Sequence, residues 1–396
     1  MVVKKDLIRF MNSHILSDTA VFISHLAPSS QVLEQGTSAA GNQVQRQIFQ
    51  ELSQQYGIES VACFAMTPSP AWPRGPFISR SQKEGSIAFI GYLNLPVIKH
   101  IIFALRLLAH LIIYRPQLCL QYNSYLFENF ALLLYRWYCR DSALAIIIQD
   151  IHVSVGKSLL SKAGLRSHSE RISLRFAKRF DMIVPISSAI IKDFHLAPSK
   201  CMVFQGGVTE FAVKVMNGQE QTLTDVGVFA GGLEPHNGID RLVDQWLAGG
   251  IHHQLHVFGR GSLEGRVKKA ALMSDRIIFH GFQPEHVVLE WQRRARWNFC
   301  LRYSLGINQT YFFPSKFFNI LCAPGSVVVN DFYALPGTVR DHVCIIKDDL
   351  SNLAACLLSA IDLSSPESVN ARREIVRAKH SWRSCIAQVI HFFDPK

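Results

Sequence analysis

The residues best suited to chemistry lie in the last quarter of the chain, in Tyr311-Phe312-Phe313-Pro314-Ser315-Lys316-Phe317-Phe318-Asn319. Pro314 suits a first helical turn, where a missing N–H costs nothing, and Ser315 can cap. Unpaired N–H groups, the positive end of a helix dipole and the Lys316 ammonium would together attract an anion such as a phosphate. Two glycine turns precede this stretch, Val228-Phe229-Ala230-Gly231-Gly232-Leu233 and His256-Val257-Phe258-Gly259-Arg260-Gly261. Small residues let a phosphate or ribose approach the backbone, and a guanidinium such as that of Arg260 pairs naturally with a diphosphate. Singly, each is an ordinary turn and Lys316 an ordinary surface lysine. Together in one domain they point to a nucleoside-diphosphate-sugar site.

Two further groups sit in the first half. Asp150 and His152 follow the apolar run Leu144–Ile148. There a carboxylate or imidazole could take a proton from an attacking hydroxyl, or simply cap the next helix. A glycine-bearing loop from Gly36 to Gly41 follows the first apolar run and would line an acceptor-side wall. Its spacing is not that of a dinucleotide fingerprint. No Asp-x-Asp occurs, so no metal ligand is expected.

The elements that must position these residues are short apolar runs alternating with helical patterns. Strands are expected at Ala20–His25, Val61–Ala65, Ala88–Gly91, Leu118–Gln121, Ala143–Ile148, Met182–Ser187 and Met202–Phe204. A second series is expected at Val226–Ala230, Gln254–Phe258, Arg276–His280, Trp297–Leu301, Ser326–Asn330 and Val343–Ile346. Most are apolar on both faces, as in parallel sheets covered by helices. The fold class expected is α/β, with two doubly wound Rossmann-like domains facing across a cleft. The boundary falls after Gly206-Gly207, so 1–207 with a closing helix at 380–396 forms one domain and 208–379 the other.

The chain has 396 residues, 48% hydrophobic and 18% charged, with a net charge of +11. Residues 1–200 hold 21 Lys and Arg against 12 Asp and Glu, so most of the excess lies there. An anionic membrane surface suits it better than nucleic acid, because the cations are interleaved with Leu and Ile runs rather than exposed aromatics. The apolar stretches 93–114 and 125–138 are too short and too interrupted by charge to span, but could lie in an interface or in a core. Nine scattered cysteines without metal-ligand spacing, and no leader-like N-terminus, point to the cytoplasm.

Several motifs resemble the GT-B glycosyltransferases, in particular the glycogen-synthase-like group that includes family 4. They are Phe180–Ser188, Val203-Phe204-Gln205-Gly206-Gly207-Val208, Phe229–Leu233, Val257–Gly261, Ile278–Phe282, the Pro314-Ser315-Lys316 helix start, and Trp382 in the last helix. The resemblance implies a nucleotide-sugar held by the second domain at Gly231, Gly232, Arg260, Tyr311, Ser315, Lys316 and Asn319. UDP-sugar is favoured over GDP-sugar, as substrate, with no cofactor. It also implies a glycan or polyprenyl-linked acceptor on the first domain, with Asp150 the first choice of base and His152 the second. The sequence departs from that group in two places. Gly232 and Asn237 replace the usual arginine and lysine of the donor-domain opening, and Tyr311 and Asn319 stand where an E-x7-E pair would fall. A catalytically silent partner subunit is the alternative these departures leave open.

Overall fold

The computed structural model describes residues 19–29, 39–57, 60–149, 151, 162–218, 222–248, 250–304, 309–314 and 316–393. Gly36, Asp150, His152 and Ser315 lie outside them. Contacts divide the chain into two compact units. The first is Met1–Ile147 with Ser169–Ile183 and Val389–Lys396; the second is Ile148–His168 with Val184–Gln388.

The first sheet is built from β1 (Ala20–Ser24), β2 (Val61–Ala65), β4 (Gln82–Glu84), β5 (Ile87–Phe89), β7 (Leu118–Tyr122), β8 (Ala143–Ile148) and β9 (Met182–Pro185). Their order is β4-β5-β2-β1-β7-β8-β9. The pairs from β5 through β8 are parallel, and β4 runs antiparallel on the edge. Without β4 this is a doubly wound order, which reverses between β1 and β7. A small ribbon pairs β3 (Ile78–Ser79) with β6 (Tyr92–Leu93). The helices include α1 (Ala39–Tyr56), α2 (Ile98–Tyr114), α3 (Leu126–Tyr138) and α4 (Lys162–Ala177). Strands β1, β7 and β8 are buried on both faces almost throughout, which accounts for their unbroken apolar sequence.

The second sheet is wholly parallel in the order β12-β11-β10-β13-β14-β15. Its strands are β10 (Thr224–Ala230), β11 (Gln254–Phe258), β12 (Ile277–Gly281), β13 (Ala295–Cys300), β14 (Ser326–Asn330) and β15 (Cys344–Ile346). This order likewise reverses, between β10 and β13. Its helices include α5 (Ser188–Asp193), α6 (Glu210–Met216), α7 (Ile239–Ala248), α8 (Glu264–Met273), α9 (Glu285–Arg294), α10 (Phe317–Leu321), α11 (Leu353–Ser359), α12 (Pro366–Lys379) and α13 (Trp382–Phe393). Trp246 and Trp297 anchor the core on one face of the sheet. The expected strand at Met202–Phe204 does not form. Cys201 makes only an isolated bridge, and the Phe204 amide donates to the Pro185 carbonyl instead.

A buried cation ties the end of this unit together. Arg372 of α12 is fully buried and donates to the carbonyls of Leu321, Ala323, Gly325 and Leu363, all at 2.5–3.2 Å. Desolvation lowers its guanidinium to about 10, with Cys322 opposing and Arg373 assisting. The turn it fastens, Leu321–Gly325, joins α10 to β14. Replacing it with Arg372→Met leaves four carbonyls unpaired, so the unfolding free energy is expected to drop by about 3 kcal/mol or more. Urea denaturation followed by circular dichroism measures this. A drop under about 1 kcal/mol would show that water takes over the carbonyls.

Candidate functional site

Ligands of open α/β sheets bind where the strand order reverses, at the carboxyl ends of the strands. In the second unit that place holds a pocket of ≈ 180 Å³. It is lined by Phe229–Gly232 from the end of β10 and Phe299–Arg302 from the end of β13. Asn237, Gln292, Pro314, Lys316 and Ile320 complete it. Gly231, Gly232 and Lys316 are thus brought together.

The glycines have distinct jobs. Gly259 adopts φ +137°, and a Cβ there would stand 1.8 Å from the Gly231 carbonyl oxygen, so only glycine lets the two turns touch. A Cβ on Gly231 would meet nothing nearer than 4.0 Å, so the side of the turn where a side chain would stand is open, while its amide is donated to the Phe258 carbonyl at 3.0 Å.

Two cations reach this pocket. Arg302 donates to the Asn237 side-chain oxygen, and Asn237 in turn donates to the Gly232 carbonyl at 2.8 Å. The Arg302 backbone is clamped by Asn330, which accepts from its amide and donates to its carbonyl, both at 2.7 Å. Its Nε is buried without a hydrogen-bond partner. Desolvation holds the guanidinium below its usual value, with Cys300 opposing. Lys316 is lowered in the same way, with Glu285 opposing. Its residue surface as a whole is exposed, yet desolvation dominates at the ammonium. Each cation would be relieved by an anion between them.

The helix after Lys316 differs from expectation. Helix α10 begins at Phe317, runs five residues, and has Lys316 at its N-cap; Pro314 only accepts from the Phe317 amide. So short a helix carries little dipole, and the positive charge here belongs to the side chains. Arg260, Tyr311 and Asn319 do not line the pocket. Arg260 sits 4.8 Å over the Phe282 ring. Tyr311 is buried and donates its hydroxyl to Asp193 at 2.7 Å, while the Ser187 hydroxyl donates to the Thr310 carbonyl. These bonds fasten the loop before Lys316 to α5. Asn319 is half-buried on α10, its amide bonded to the Lys316 carbonyl. Gly41 lies inside the first turn of α1 rather than in the loop before it, and its carbonyl accepts from Gln45.

The first unit holds a second polar cluster at its own reversal point. His25 directly follows β1, and its backbone amide and carbonyl are both bonded to the Gln45 side chain at 3.0 Å. Its ring stacks on Tyr125 at 3.8 Å and places Nε2 3.1 Å from a Glu128 oxygen. His100 Nδ1 is 3.9 Å from the same oxygen. Glu128 occupies the first turn of α3 and is 1% exposed, with Oε2 lacking a hydrogen-bond partner. Burial pushes its carboxyl up, but the neighbouring imidazoles of His100 and His25 outweigh that and bring it down to about 2. A buried imidazole–carboxylate set of this kind can orient a hydroxyl or accept its proton.

Sequence reasoning assigned no role to Arg302, His25, His100 or Glu128. Arg302 has the same signal that singled out Asp150, a charged residue just past a very apolar strand. His100 and Glu128 were read only as interruptions of apolar runs.

A carboxyl lowered from 4.5 to about 2 stabilises the fold above pH 4.5 and loses that contribution as pH falls toward 2. Glu128→Gln is therefore expected to cost on the order of 2–3 kcal/mol at neutral pH, a gap that narrows from about pH 5 to about pH 2. Denaturant unfolding across that interval measures it. A constant gap would contradict the ionised assignment.

No known protein family profile matches the chain, nor does any curated protein. Solved structures match it over nearly its whole length. Sucrose-phosphate synthase from Thermosynechococcus elongatus is 14% identical, with TM-score 0.65, covering 95% of this chain and 98% of that one. HepE from Anabaena, solved with UDP, is 13% identical, with TM-score 0.61, covering 96% and 100%. The α,α-trehalose 6-phosphate synthase from Burkholderia multivorans is 9% identical, with TM-score 0.63, covering 96% and 97%. At these identities the likeness establishes the fold. The chain has the GT-B fold with two Rossmann-like domains.

Proposed function

We propose that the protein is a glycosyltransferase. It moves a sugar from a nucleoside-diphosphate donor, UDP in preference to GDP, to a glycan or lipid-linked acceptor in cell-surface polysaccharide or glycoconjugate synthesis. The observation that carries this reading is the pocket at the β10/β13 reversal, where the side chains of Arg302 and Lys316 meet the Gly231-Gly232 turn. A diphosphate is the anion that two such cations and a bare glycine turn accommodate. Solved structures of HepE contain UDP, UDP with glucose, and UDP-glucose, which supports a uridine donor.

Arg302 and Lys316 would neutralise the departing diphosphate, the task a divalent ion performs in metal-dependent transferases. Arg260 is kept as a donor contact that would need to leave the Phe282 ring. Asp150, then His152, remain the proposed bases for the attacking hydroxyl. The scattered cysteines and the basic first half support a cytoplasmic enzyme, peripheral to the inner face of the membrane. No described helix is long and apolar enough to cross a membrane.

The alternative, a silent partner of an active transferase, draws on one observation. Tyr311, standing where an acidic residue was expected, has its hydroxyl committed to Asp193. Both readings are tested together. UDP-sugars are expected to raise the melting temperature more than GDP- or ADP-sugars do. Arg302→Met and Lys316→Met should each weaken UDP binding by about 10- to 100-fold, the loss of one charge-assisted hydrogen bond. Asp150→Asn should keep nucleotide binding and lose glycan synthesis. No shift with any nucleotide sugar overturns the donor reading; nucleotide binding with glycan synthesis indifferent to Asp150→Asn and Lys316→Met favours the silent partner.

A further inference from the structure

The first unit carries an apolar exterior that its core does not use. Helix α2 buries Phe103, Ala104, Leu107 and Leu111 on one side. Its other side exposes Ile98, Ile101, Leu105 and Ile113, a stripe at helical spacing with Leu105 63% exposed. Helix α3 packs alongside and exposes Phe130, Leu134 and Trp137, the last 77% exposed. A surface stripe on one helix is unremarkable, but two packed helices presenting such stripes are not.

A third piece continues it. Beside the β3–β6 ribbon, Trp72 and Phe77 meet edge to face at 6.1 Å and remain 52% and 48% exposed. The turn bearing them is held rigid. Buried Asn94 donates to the Pro70 and Pro76 carbonyls at 2.7 and 2.9 Å, and its backbone pairs with Trp72 and Phe77. Two large aromatics are therefore presented to solvent by a structured loop, without the loss of order that a mobile tip would suffer on binding.

The charge along the segment that carries the Trp72–Phe77 turn and α2 has nearly one sign. Between residues 66 and 115 there are six Lys and Arg and a single acidic residue, Glu84. Glu84 is paired with Arg46 at 2.9 Å and held at about 2, chiefly by that bond. Lys99 and Arg106 are fastened to the Ser69 and Gly91 carbonyls, whereas Arg74, Arg80 and Arg115 stand exposed. Apolar and aromatic tips ringed by cations, on helices too short to span, match the headgroup level of an anionic bilayer. A protein partner or second copy would not by itself call for this one-sided charge.

We infer that the exposed faces of α2 and α3, with the Trp72–Phe77 turn, form a docking surface for anionic phospholipid bilayers. This names the surface and the lipid class behind the membrane reading above, and it does not depend on the donor pocket. The test is flotation of the full-length protein with vesicles of phosphatidylcholine alone or with about one-third phosphatidylglycerol. Binding to the anionic vesicles is expected to exceed binding to the neutral ones at least about 10-fold and to weaken with salt. Leu105→Glu, Trp72→Ala/Phe77→Ala and Arg74→Glu/Arg80→Glu should each reduce the bound fraction several-fold. All three alter exposed residues, so unchanged melting temperature and UDP binding identify the loss as one of docking. Flotation equal for wild type and variants, or absent from both vesicles, overturns the inference. So does a wild-type dimer that the same variants convert to monomer, since the face would then join two copies of the chain.

Discussion

The second unit depends on a positive charge that has been taken out of water and given only carbonyl oxygens in return. Arg372 has no carboxylate partner among its hydrogen bonds; its acceptors are four main-chain carbonyls at the turn after α10 and near Leu363. Neutral acceptors repay the desolvation of a guanidinium only if several converge, and convergence requires that the turn adopt one conformation. Its neighbour Arg373 extends the arrangement to the carbonyls of Cys322 and Met216. The turn so fixed lies directly after the five residues of α10, with Lys316 at their head. A helix this short has no stability of its own. What keeps Lys316 at the pocket is the pinning on both sides, Arg372 after the helix and the Tyr311–Asp193 and Ser187–Thr310 bonds before it.

This changes where the attraction for an anion comes from. A helix end contributes typically 0.3–1 kcal/mol, and less from a single turn, whereas a hydrogen bond to a charged group contributes about 1.5–3 kcal/mol. Arg302 and Lys316 therefore outweigh the dipole that Pro314-Ser315-Lys316 first suggested. Arg302 also explains a departure in the sequence. Asn237 stands where a lysine was expected, and it holds the Arg302 guanidinium beside the Gly232 carbonyl. The helix start thus offers no cation of its own at Asn237, and the end of β13 supplies one to the same pocket.

Most strands were legible because burial on both faces leaves an unmistakable apolar run; β10, β11 and β14 are examples. The short edge elements were not. β3, β4 and β6 span two or three residues each, mostly exposed, so neither periodicity nor hydropathy marks them. Met202–Phe204 failed for the opposite reason. Three residues of suitable type lie near Pro185, but only Cys201 finds a bridging partner. The glycine turns and Lys316 were visible as types at strand ends. Arg302 was visible by the same rule, one residue past the expected strand Trp297–Leu301. The His25–Glu128 pair, 103 positions apart, could be found only by knowing that β1 and β7 are adjacent.

That adjacency also gives α2 and α3 two unlike faces. Inward, they bring His100 and Glu128 to His25, with Phe103 edge-on to the same ring at 6.2 Å. Outward, they expose leucine, isoleucine and tryptophan to solvent. An ordinary surface helix would carry mostly polar residues on its outer face, and here large apolar side chains are exposed there while the inner faces bury His25's partner Glu128 among apolar residues. The inner polar set is stabilised by its own pairing, since two imidazoles offset the burial of one carboxylate. The outer apolar set has no such compensation among the described residues. The helices are therefore satisfied on the side that forms the cluster and exposed on the other, which is the side that the inferred bilayer docking would cover.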